Sequence, residues 1–531
     1  MSGNSAARPL RVAIVGLGPK GLYALERLIS RARELSSGSI AITAYEPHPA
    51  PGAGPVYDPT QPIYLRMNFA AELVNMWPDG EGPSFTDWRA GIPELADDAY
   101  PPRAEVGRYL SDGFKGLRAS LPSSIRLAVR QESVRTVKPS AGGWSVVGQD
   151  ELEHDEVLVA TGHEENWDGG LTALPPSSEG PSTRVFPVER ELSADRVPPG
   201  SIVAIRGFAL TMIDAALALT EGRGGRFSKG RQSHLLRYHA CRDEVGAILP
   251  WSRTGRPMLA KPDPAQAIRS PEIDRIAAQG RAELSELSAG SALSGALSII
   301  ATASARSLGS ITDAAPSASG VLELLERASG GEPLPADLSQ AGEIERSLGI
   351  AARVREPGID WALGHTWRAL YPALVERLGA DGLEPGEWPS FLLLAKEMER
   401  IAFGPPPINA AKLLGLIECG KVDLASATEG PARRADVVVD AVLPPPGAAL
   451  ALLPLIEELV RDGLVRIPEN RRGIELTSDV ECVGADGSPS RGLGAIGRPT
   501  EDWIIGNDTL NRNLHPQPDL WAQRVVSRAA G

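Results

Sequence analysis

The chain has 531 residues, with 54 Lys and Arg against 67 Asp and Glu, so its net charge at pH 7 is −13. That length predicts about two to four compact domains, and the acidic balance argues against nonspecific binding to nucleic acid or anionic membrane. The three cysteines form no CxxC pair, which argues against a disulfide framework or a zinc ribbon. We find no targeting segment and no apolar run of ~20 residues, and we expect a soluble, cytoplasmic protein.

The first 200 residues alternate between strand-like and helix-like patterns. Arg11–Gly16 predicts a buried strand, leucines at helical spacing follow it, and Ile40–Glu46 predicts a second strand. A strand, a helix and a second strand in this order predict a doubly wound parallel sheet. Residues 50–125 are rich in Pro and Gly and predict loops with short helices.

A second strand-then-helix pattern begins at Ser201–Gly207, and strand patterns return at Asp436–Val442. Between them, residues 263–421 are rich in Ala, Leu, Ser and Glu at helical spacing and predict a helical insertion. We therefore predict an α/β fold with two Rossmann-like dinucleotide-binding domains and a helical insertion.

The first chemical motif is a GxGxxG, the GLGPKG of residues 16–21, placed between the first strand and the first helix. Its first glycine permits a tight turn, its second leaves room for a pyrophosphate, and its third lets helix and strand pack closely. Glu46, at the end of the next strand, is a candidate acceptor for a ribose diol. The alternative is a glycine-rich turn of any α/β protein. The candidate cofactor-binding residues here are Gly16, Gly18, Pro19, Lys20, Gly21 and Glu46.

The second motif is the Ala-Thr-Gly that ends the buried strand Glu156–Ala160. A strand that ends in Ala-Thr-Gly more than 100 residues after a GxGxxG resembles the pattern of flavoproteins that bind two dinucleotides. That resemblance implies that Thr161 and Gly162 approach FAD, and that the backbone of Val134 contacts its adenine.

The second strand–helix unit carries a degenerate glycine motif. Gly207 keeps the first position, whereas Ala209 and Met212 replace the second and third glycines. Downstream, Arg253 and Arg256 follow a strand-like segment. A guanidinium there could bind the 2′-phosphate of NADPH, which NADH lacks, and this favours NADPH. The alternative is a pair of surface arginines on a loop. Near the C-terminus, Asp508 in a Gly-Asn-Asp-Thr-Leu run is a candidate for contact with the ribityl chain of the flavin.

Six segments together resemble a bacterial FAD/NAD(P)-binding family that includes flavin-dependent urate hydroxylase and nitrosuccinate synthase, an aspartate N-monooxygenase. They are VAIVGLGPKGLYALERL, QPIYLRMNFAAELVNMW, YPPRAEVGRYL, LVATGHE, RGFALTMIDAALALTEG and GNDTLNR. The resemblance implies a monooxygenase in which NADPH reduces FAD and O2 then forms a C4a-(hydro)peroxyflavin. It also implies that Arg66, Asn68 and Trp77 lie near the flavin ring and that Arg103 starts an FAD-supporting helix.

The resemblance and the composition lead to a division of the chain into five segments. Residues 1–195 form the first part of an FAD-binding domain, and residues 491–531 return to it. Residues 196–262 and 422–490 form an NADPH-binding domain, and residues 263–421 form the helical insertion or substrate domain.

The substrate is not decided by the sequence, although N-oxygenation of a small, aspartate-like amino acid is favoured. A dicarboxylate in a dry pocket requires two cationic partners. The candidates for that role are Arg66, Arg256, Lys261 and Arg368, with Asn68 as a further substrate contact. A purine would instead require amide edges and an aromatic face, which Asn68, Asn75 and Trp77 offer.

Three functions stay open beside the amino-acid monooxygenase. They are a urate or purine hydroxylase of the same family, a flavin oxidoreductase without oxygen insertion, and a non-catalytic nucleotide-binding regulator with a decayed second site. The expected partners are a small-molecule substrate and O2, with no nucleic acid and no membrane, and homo-oligomerisation is left open. No metal site is predicted.

Overall fold

The computed structural model describes residues 8–95, 97–163, 167–171, 181–288, 292–313, 315–380, 382–425, 427–428, 435–449, 453–507 and 509–531. The strands within these ranges are β1 (Leu10–Val15), β2 (Ile40–Tyr45), β3 (Ile125–Arg130), β4 (Thr136–Ser140), β5 (Gly143–Val147), β6 (Glu151–His154), β7 (Glu156–Val159), β8 (Ser182–Arg184), β9 (Ile202–Arg206), β10 (Arg226–Lys229), β11 (Leu236–His239), β12 (Ala247–Trp251), β13 (Val437–Asp440) and β14 (Leu493–Ala495).

The helices within the same ranges are α1 (Pro19–Ala32), α2 (Phe85–Ala90), α3 (Arg103–Ala119), α4 (Val188–Glu191), α5 (Leu210–Leu219), α6 (Pro271–Ser285), α7 (Ala292–Gly309), α8 (Ala318–Ser329), α9 (Gln340–Ala351), α10 (Ile359–Leu378), α11 (Trp388–Ala402), α12 (Pro407–Glu418), α13 (Pro454–Arg461) and α14 (Gln517–Ala530). None of these helices combines the length and the apolar composition needed to cross a membrane.

The chain forms two compact units. The first contains the residues up to Ile63, Phe69–Trp167 and Pro444–Gly531, and the second contains Tyr64–Asn68 and Asp168–Leu443. Each unit has its own parallel sheet, which confirms the predicted α/β class.

The sheet of the first unit has the strand order β14-β7-β1-β2-β3, and all of its pairs are parallel. Its central strand β1 is deeply buried after its first two residues, and Val12, Ala13 and Ile14 have no exposed surface. Parallel strands that are covered on both faces favour such continuous apolar runs. An antiparallel sheet of β4, β5 and β6 is inserted between β3 and β7.

Helix α1 follows the glycine loop and buries the predicted leucine face. Leu22, Leu25 and Leu28 have no exposed surface, and Pro19 occupies the first helical position, where its fixed backbone torsion suits a helix start. Burial of each of these side chains stabilises the fold by about 1.5–3 kcal/mol. The helix is thereby held against the sheet at the point where the loop must be positioned.

The sheet of the second unit has the order β12-β9-β13-β8, again parallel throughout. The helices α6 to α12 follow β12 in the chain, and no strand interrupts them within the described residues. This confirms the helical insertion that the composition predicted.

The two compact units divide the chain differently from the predicted domains at three places, the first of which is Tyr64–Asn68 in the second unit. Residues 444–490 lie in the first unit, because α13 places Glu458 3.3 Å from Lys138 of β4 and the N–H of Cys482 donates to the carbonyl of Leu493 in β14. Residues 168–195 lie in the second unit, because β8 pairs with β13.

Candidate functional site

The glycine loop after β1 has two positions where a side chain would not fit. Gly16 has φ +95°, and a Cβ there would lie 2.6 Å from the carbonyl oxygen of Ala160. At Gly21 a Cβ would lie 2.1 Å from the carbonyl oxygen of Gly16. Both contacts involve backbone atoms that cannot turn aside, so these two glycines fix the turn and bring α1 close to β1.

Gly18 differs, because a Cβ built there would meet no atom within 4 Å. The space beside it is bounded by a second glycine-rich loop: a Cβ on Gly54 would lie 3.4 Å from the Cα of Gly18, and the N–H of Gly52 donates to the carbonyl of Leu17 at 2.7 Å. Pro19 and Lys20 begin α1 at this point, where the first N–H groups of the helix lack intrahelical acceptors. We call this open space beside Gly18 the cradle.

Glu46 lies directly after β2 and is buried beside the cradle loop. One carboxylate oxygen accepts from the N–H of Leu17 at 2.8 Å, and the other accepts from the N–H of His48 at 2.9 Å. Burial raises the pKa of Glu46, while these two backbone donors counteract the rise. Glu46 thus helps to hold the shape of the loop, and its remaining lone pairs are the ones left for a ribose.

The turn after β7 forms another wall next to Gly16. The hydroxyl of Thr161 is buried, and it has no hydrogen-bond partner in the parts of the chain that the structure describes. A Cβ on Gly162 would meet nothing within 4 Å. A buried polar group without a partner is costly, so an orphaned hydroxyl beside open space fits a site that a polar ligand completes.

The C-terminal segment returns to this edge of the sheet through β14. A Cβ on Gly497 would lie 3.1 Å from the Cγ of Lys20, so this turn packs against the glycine loop. Further on, the hydroxyl of Tyr23 on α1 donates to the carbonyl of Leu510 at 2.9 Å. The predicted contact Asp508 lies outside the described residues.

Other predicted cofactor contacts of the first unit lie at its loops and helix starts. Arg103 is the first residue of α3, and Val134 lies between β3 and β4. The ring of Trp77 packs on Gly82, where a Cβ would lie within 2.5 Å of the indole.

Arg66 and Asn68 belong to the short segment Tyr64–Asn68 that clusters with the second unit. Leu65 is buried in the core of that unit, and a Cβ on Gly222 would lie 2.9 Å from the hydroxyl of Tyr64. The two candidate residues therefore share one anchored segment.

The second unit repeats the geometry of the first glycine turn. Gly207 follows β9 with φ +108°, and a Cβ there would lie 3.2 Å from the carbonyl of Ala441, just after β13. Met212, at the third motif position, is fully buried in α5. Arg253 is exposed two residues after β12, and β12 pairs with β9 as β2 pairs with β1.

Arg256 has carboxylate partners within the second unit. Its guanidinium lies 3.0 Å from Glu343 and 3.1 Å from Glu397, and it also donates to the carbonyl of Leu334 at 2.7 Å. These partners neutralise the arginine and tie the loop after β12 to α9 and α11. Of the two predicted arginines after β12, Arg253 is therefore the better candidate for a phosphate, because the charge of Arg256 is already compensated within the protein.

Lys261 and Arg368 are near enough to influence each other. Burial, and secondly the charge of Arg368, lowers the pKa of Lys261 to about 7. Arg368 donates to the carbonyl of Ala402 at 2.8 Å and borders a cavity of about 30 Å3. That volume holds about one or two water molecules, so the cavity as it stands is too small for an amino acid.

Sequence reasoning missed two features near the cradle. His48 and Asp58 form a pair with a 3.0 Å separation that closes the loop containing Gly52 and Gly54, and the Pro-Gly-Ala-Gly-Pro run of residues 51–55 was the available signal. Arg498 was also missed, although it lies shortly before the Gly-Asn-Asp-Thr-Leu run that contains Asp508. Within the described ranges, no group of three or more His, Cys, Asp or Glu side chains is placed to hold a metal ion.

Comparisons with known proteins agree with this site. Residues 13–164 match the model of a family described as FAD-NAD(P)-binding. An L-aspartate N-monooxygenase (nitrosuccinate-forming) of Streptomyces cremeus is 31% identical over 296 residues, which cover 48% of this chain and 44% of the relative. A nitrosuccinic acid synthase of Aspergillus oryzae is 30% identical over 286 residues, which cover 48% of this chain and 42% of the relative. These relatives confirm the resemblance to the family that includes nitrosuccinate synthase.

The matched segments span less than half the length of these two curated relatives. Among solved structures, the reduced form of ornithine hydroxylase from Pseudomonas aeruginosa aligns over 98% of this chain and 99% of its own, with a TM-score of 0.47 and 12% sequence identity.

Proposed function

We propose that this chain is an FAD-dependent, NADPH-using monooxygenase that N-oxygenates a small, aspartate-like amino acid. The observation that carries the proposal is the open cradle beside Gly18, in a glycine loop whose Gly16 packs against the turn that holds the orphaned hydroxyl of Thr161. The similarity to L-aspartate N-monooxygenases supports the reaction and the substrate class.

In this proposal the diphosphate of FAD lies beside Gly18 and receives hydrogen bonds from the first turn of α1. Gly16 and Gly21 keep the loop compact, Glu46 accepts from the adenosine ribose, and Thr161 with Gly162 borders the flavin end. When bound, FAD supplies electron transfer from NADPH and the activation of O2. The task of the protein is then to orient the reactants and to exclude water.

The same reasoning assigns NADPH to the turn at Gly207 in the second unit. Because β12 pairs with β9 in register, Arg253 follows β12 in nearly the place that Glu46 takes after β2. An exposed arginine there suits a 2′-phosphate, as an acidic residue suits a ribose diol. This geometry supports NADPH over NADH.

Arg253→Ala is expected to reduce kcat/KM for NADPH about tenfold, which corresponds to about 1.4 kcal/mol. The kcat/KM for NADH should stay within about twofold of the wild-type value. The measurement is steady-state oxidation of both nucleotides. Arg242→Ala is the matched control, because Arg242 is also exposed but lies before β12. Equal losses with NADPH and NADH would contradict the assignment of the 2′-phosphate to Arg253.

The proposed function is tested on purified protein with L-aspartate as the substrate. We expect a yellow protein with bound FAD, NADPH oxidation that L-aspartate stimulates at least tenfold, and an N-oxygenated product detected by mass spectrometry. D-Aspartate, L-asparagine and urate serve as comparison substrates in the same assay. Stimulation by urate alone would favour the purine hydroxylase, and NADPH oxidation without an oxygenated product would favour a flavin oxidoreductase. A colourless protein that FAD does not reconstitute would favour the non-catalytic nucleotide-binding regulator.

A further inference from the structure

The residue after the Thr161–Gly162 turn is His163, and this turn begins against Gly16 of the glycine loop. The turn is fixed, because the carbonyl of Ala160 packs against Gly16. The imidazole keeps accessible surface although protein surrounds it. A side chain that is positioned by a fixed turn and still accessible is suited to contact a ligand.

Arg498 determines which nitrogen of His163 carries the proton. This arginine follows β14, is 9% exposed, and donates from Nη1 to Nε2 of His163 at 3.1 Å. Its other terminal nitrogen donates to the carbonyl of Pro444. A guanidinium has only donors, so Nε2 must accept and the proton of the neutral ring must be on Nδ1. Within the described residues, Nδ1 has no hydrogen-bond partner.

The surroundings keep this imidazole neutral. Burial, followed by the positive charges of Arg498 and Arg103, lowers the pKa of His163 to about 3. These two arginines, on the segment after β14 and at the start of α3, are the charged groups that act on the ring. Across the physiological pH range, the ring therefore offers one N–H donor at Nδ1 and no charge.

We propose that His163 donates a hydrogen bond from Nδ1 to an oxygen atom of the FAD in the cradle, with Arg498 as the positioning residue that fixes its tautomer. This inference rests on the proposed function, because it requires FAD at the cradle. It assigns a ligand contact to the residue that directly follows the predicted contacts Thr161 and Gly162.

The hydrogen bond between Arg498 and His163 predicts how FAD affinity depends on pH. In Arg498→Met the ring loses its fixed tautomer and one neighbouring positive charge, so its pKa rises, while burial and Arg103 still hold it below the ordinary value. As pH falls, a larger fraction of the rings carries protons on both nitrogens, which restores the donor and adds a positive charge that attracts the diphosphate. The variant should therefore bind FAD more tightly at low pH, whereas the wild-type chain, neutral throughout, should not.

The test is fluorescence titration of the full-length apoprotein with FAD at pH 5.5, 6.5 and 7.5. His163→Phe is expected to weaken binding about five- to tenfold, the effect of one lost hydrogen bond, and His163→Gln, which keeps an N–H donor, to stay within about threefold of wild type. Arg498→Met should bind FAD more weakly than wild type at pH 7.5, because the donor at Nδ1 is no longer fixed, and should recover part of that loss at pH 5.5. The double variant Arg498→Met/His163→Phe should lose that dependence.

Circular dichroism melting of each apoprotein serves as the folding control. Wild-type affinity in His163→Phe, or an Arg498→Met variant that folds and binds FAD as tightly as wild type at every pH, would overturn the inference while leaving the proposed function in place. If Arg498→Met does not fold, the contrast between His163→Phe and His163→Gln decides. A wild-type chain that binds no FAD would overturn the proposed function and this inference with it.

Discussion

Gly18→Glu is expected to yield a folded protein that retains no FAD. A Cβ at this position meets no protein atom within 4 Å, and Gly18 has φ −73°, which other residues adopt readily, so the backbone can accommodate a side chain here. The carboxylate would instead occupy the cradle and face the diphosphate, and two like charges in a site shielded from water repel strongly. We expect FAD affinity to fall at least 100-fold, which corresponds to about 2.7 kcal/mol.

The measurement is the ratio of bound flavin to protein after purification, followed by FAD titration of the apoprotein. Gly386→Glu is the matched control, since Gly386 is exposed and a Cβ there also meets nothing within 4 Å. It adds the same charge far along the chain from the glycine loop, and we expect normal FAD content. Both variants should melt within a few degrees of the wild-type apoprotein.

Gly21→Ala separates loss of the ligand from loss of the fold. Its added methyl group would lie 2.1 Å from the backbone oxygen of Gly16, so the apoprotein itself should be destabilised. A Gly18→Glu protein with full FAD content would show that the diphosphate is bound elsewhere and would remove the basis of the proposed function.

The elements that the sequence predicted well are those with local signals. The strand β1, the glycine turn and α1 follow one another within a few residues, and their apolar pattern and glycine spacing directly reflect burial and close packing. The second turn at Gly207 was recognised by the same logic despite Ala209 and Met212, because the first glycine is the one that the neighbouring strand requires.

The partners of charged side chains could not be predicted in this way. Arg256 was expected to bind a phosphate because it follows a strand, but Glu343 and Glu397 are 87 and 141 residues away in sequence. Likewise, 335 residues separate Arg498 from His163. No periodicity or motif encodes such a pairing, since it depends on how distant helices and strands are brought together.

For Glu46 the sequence predicted the position of the residue but not its hydrogen bonds. Its position after β2 was predicted correctly, and its candidate role toward a ribose came from that position. The structure adds that both of its oxygens already accept backbone hydrogen bonds, from Leu17 and His48. The sequence could not reveal these, because they depend on how the loop after β1 folds over the end of β2.

Glu156→Gln is expected to loosen the C-terminal helix from the first sheet. Glu156 begins β7 and is 1% exposed, and its carboxylate lies 2.9 Å from Arg524 and 2.8 Å from Arg528, which are one turn apart on α14. Arg524 is shared with Glu481 at 3.0 Å. The network therefore joins the start of β7 to α14.

Loss of one charge from this network should cost about 3 kcal/mol, at the lower end of the range for a broken buried pair, because Arg528 is half-exposed and can turn to water. The measurement is native-state hydrogen exchange followed by mass spectrometry, in which peptides of α14 should exchange about 100-fold faster. This readout suits a chain with two compact units, for which a single unfolding free energy is poorly defined.

Asp112→Asn provides the control in the same unit. Asp112 lies 2.9 Å from Lys115 on the exposed face of α3, and an ion pair of this kind contributes less than about 1 kcal/mol. We expect its effect on exchange in α14 to be undetectable. If Glu156→Gln also left α14 unchanged, Glu481 would have to hold Arg524 by itself, and α14 would be kept in place by its packing against α1 instead of by these charges.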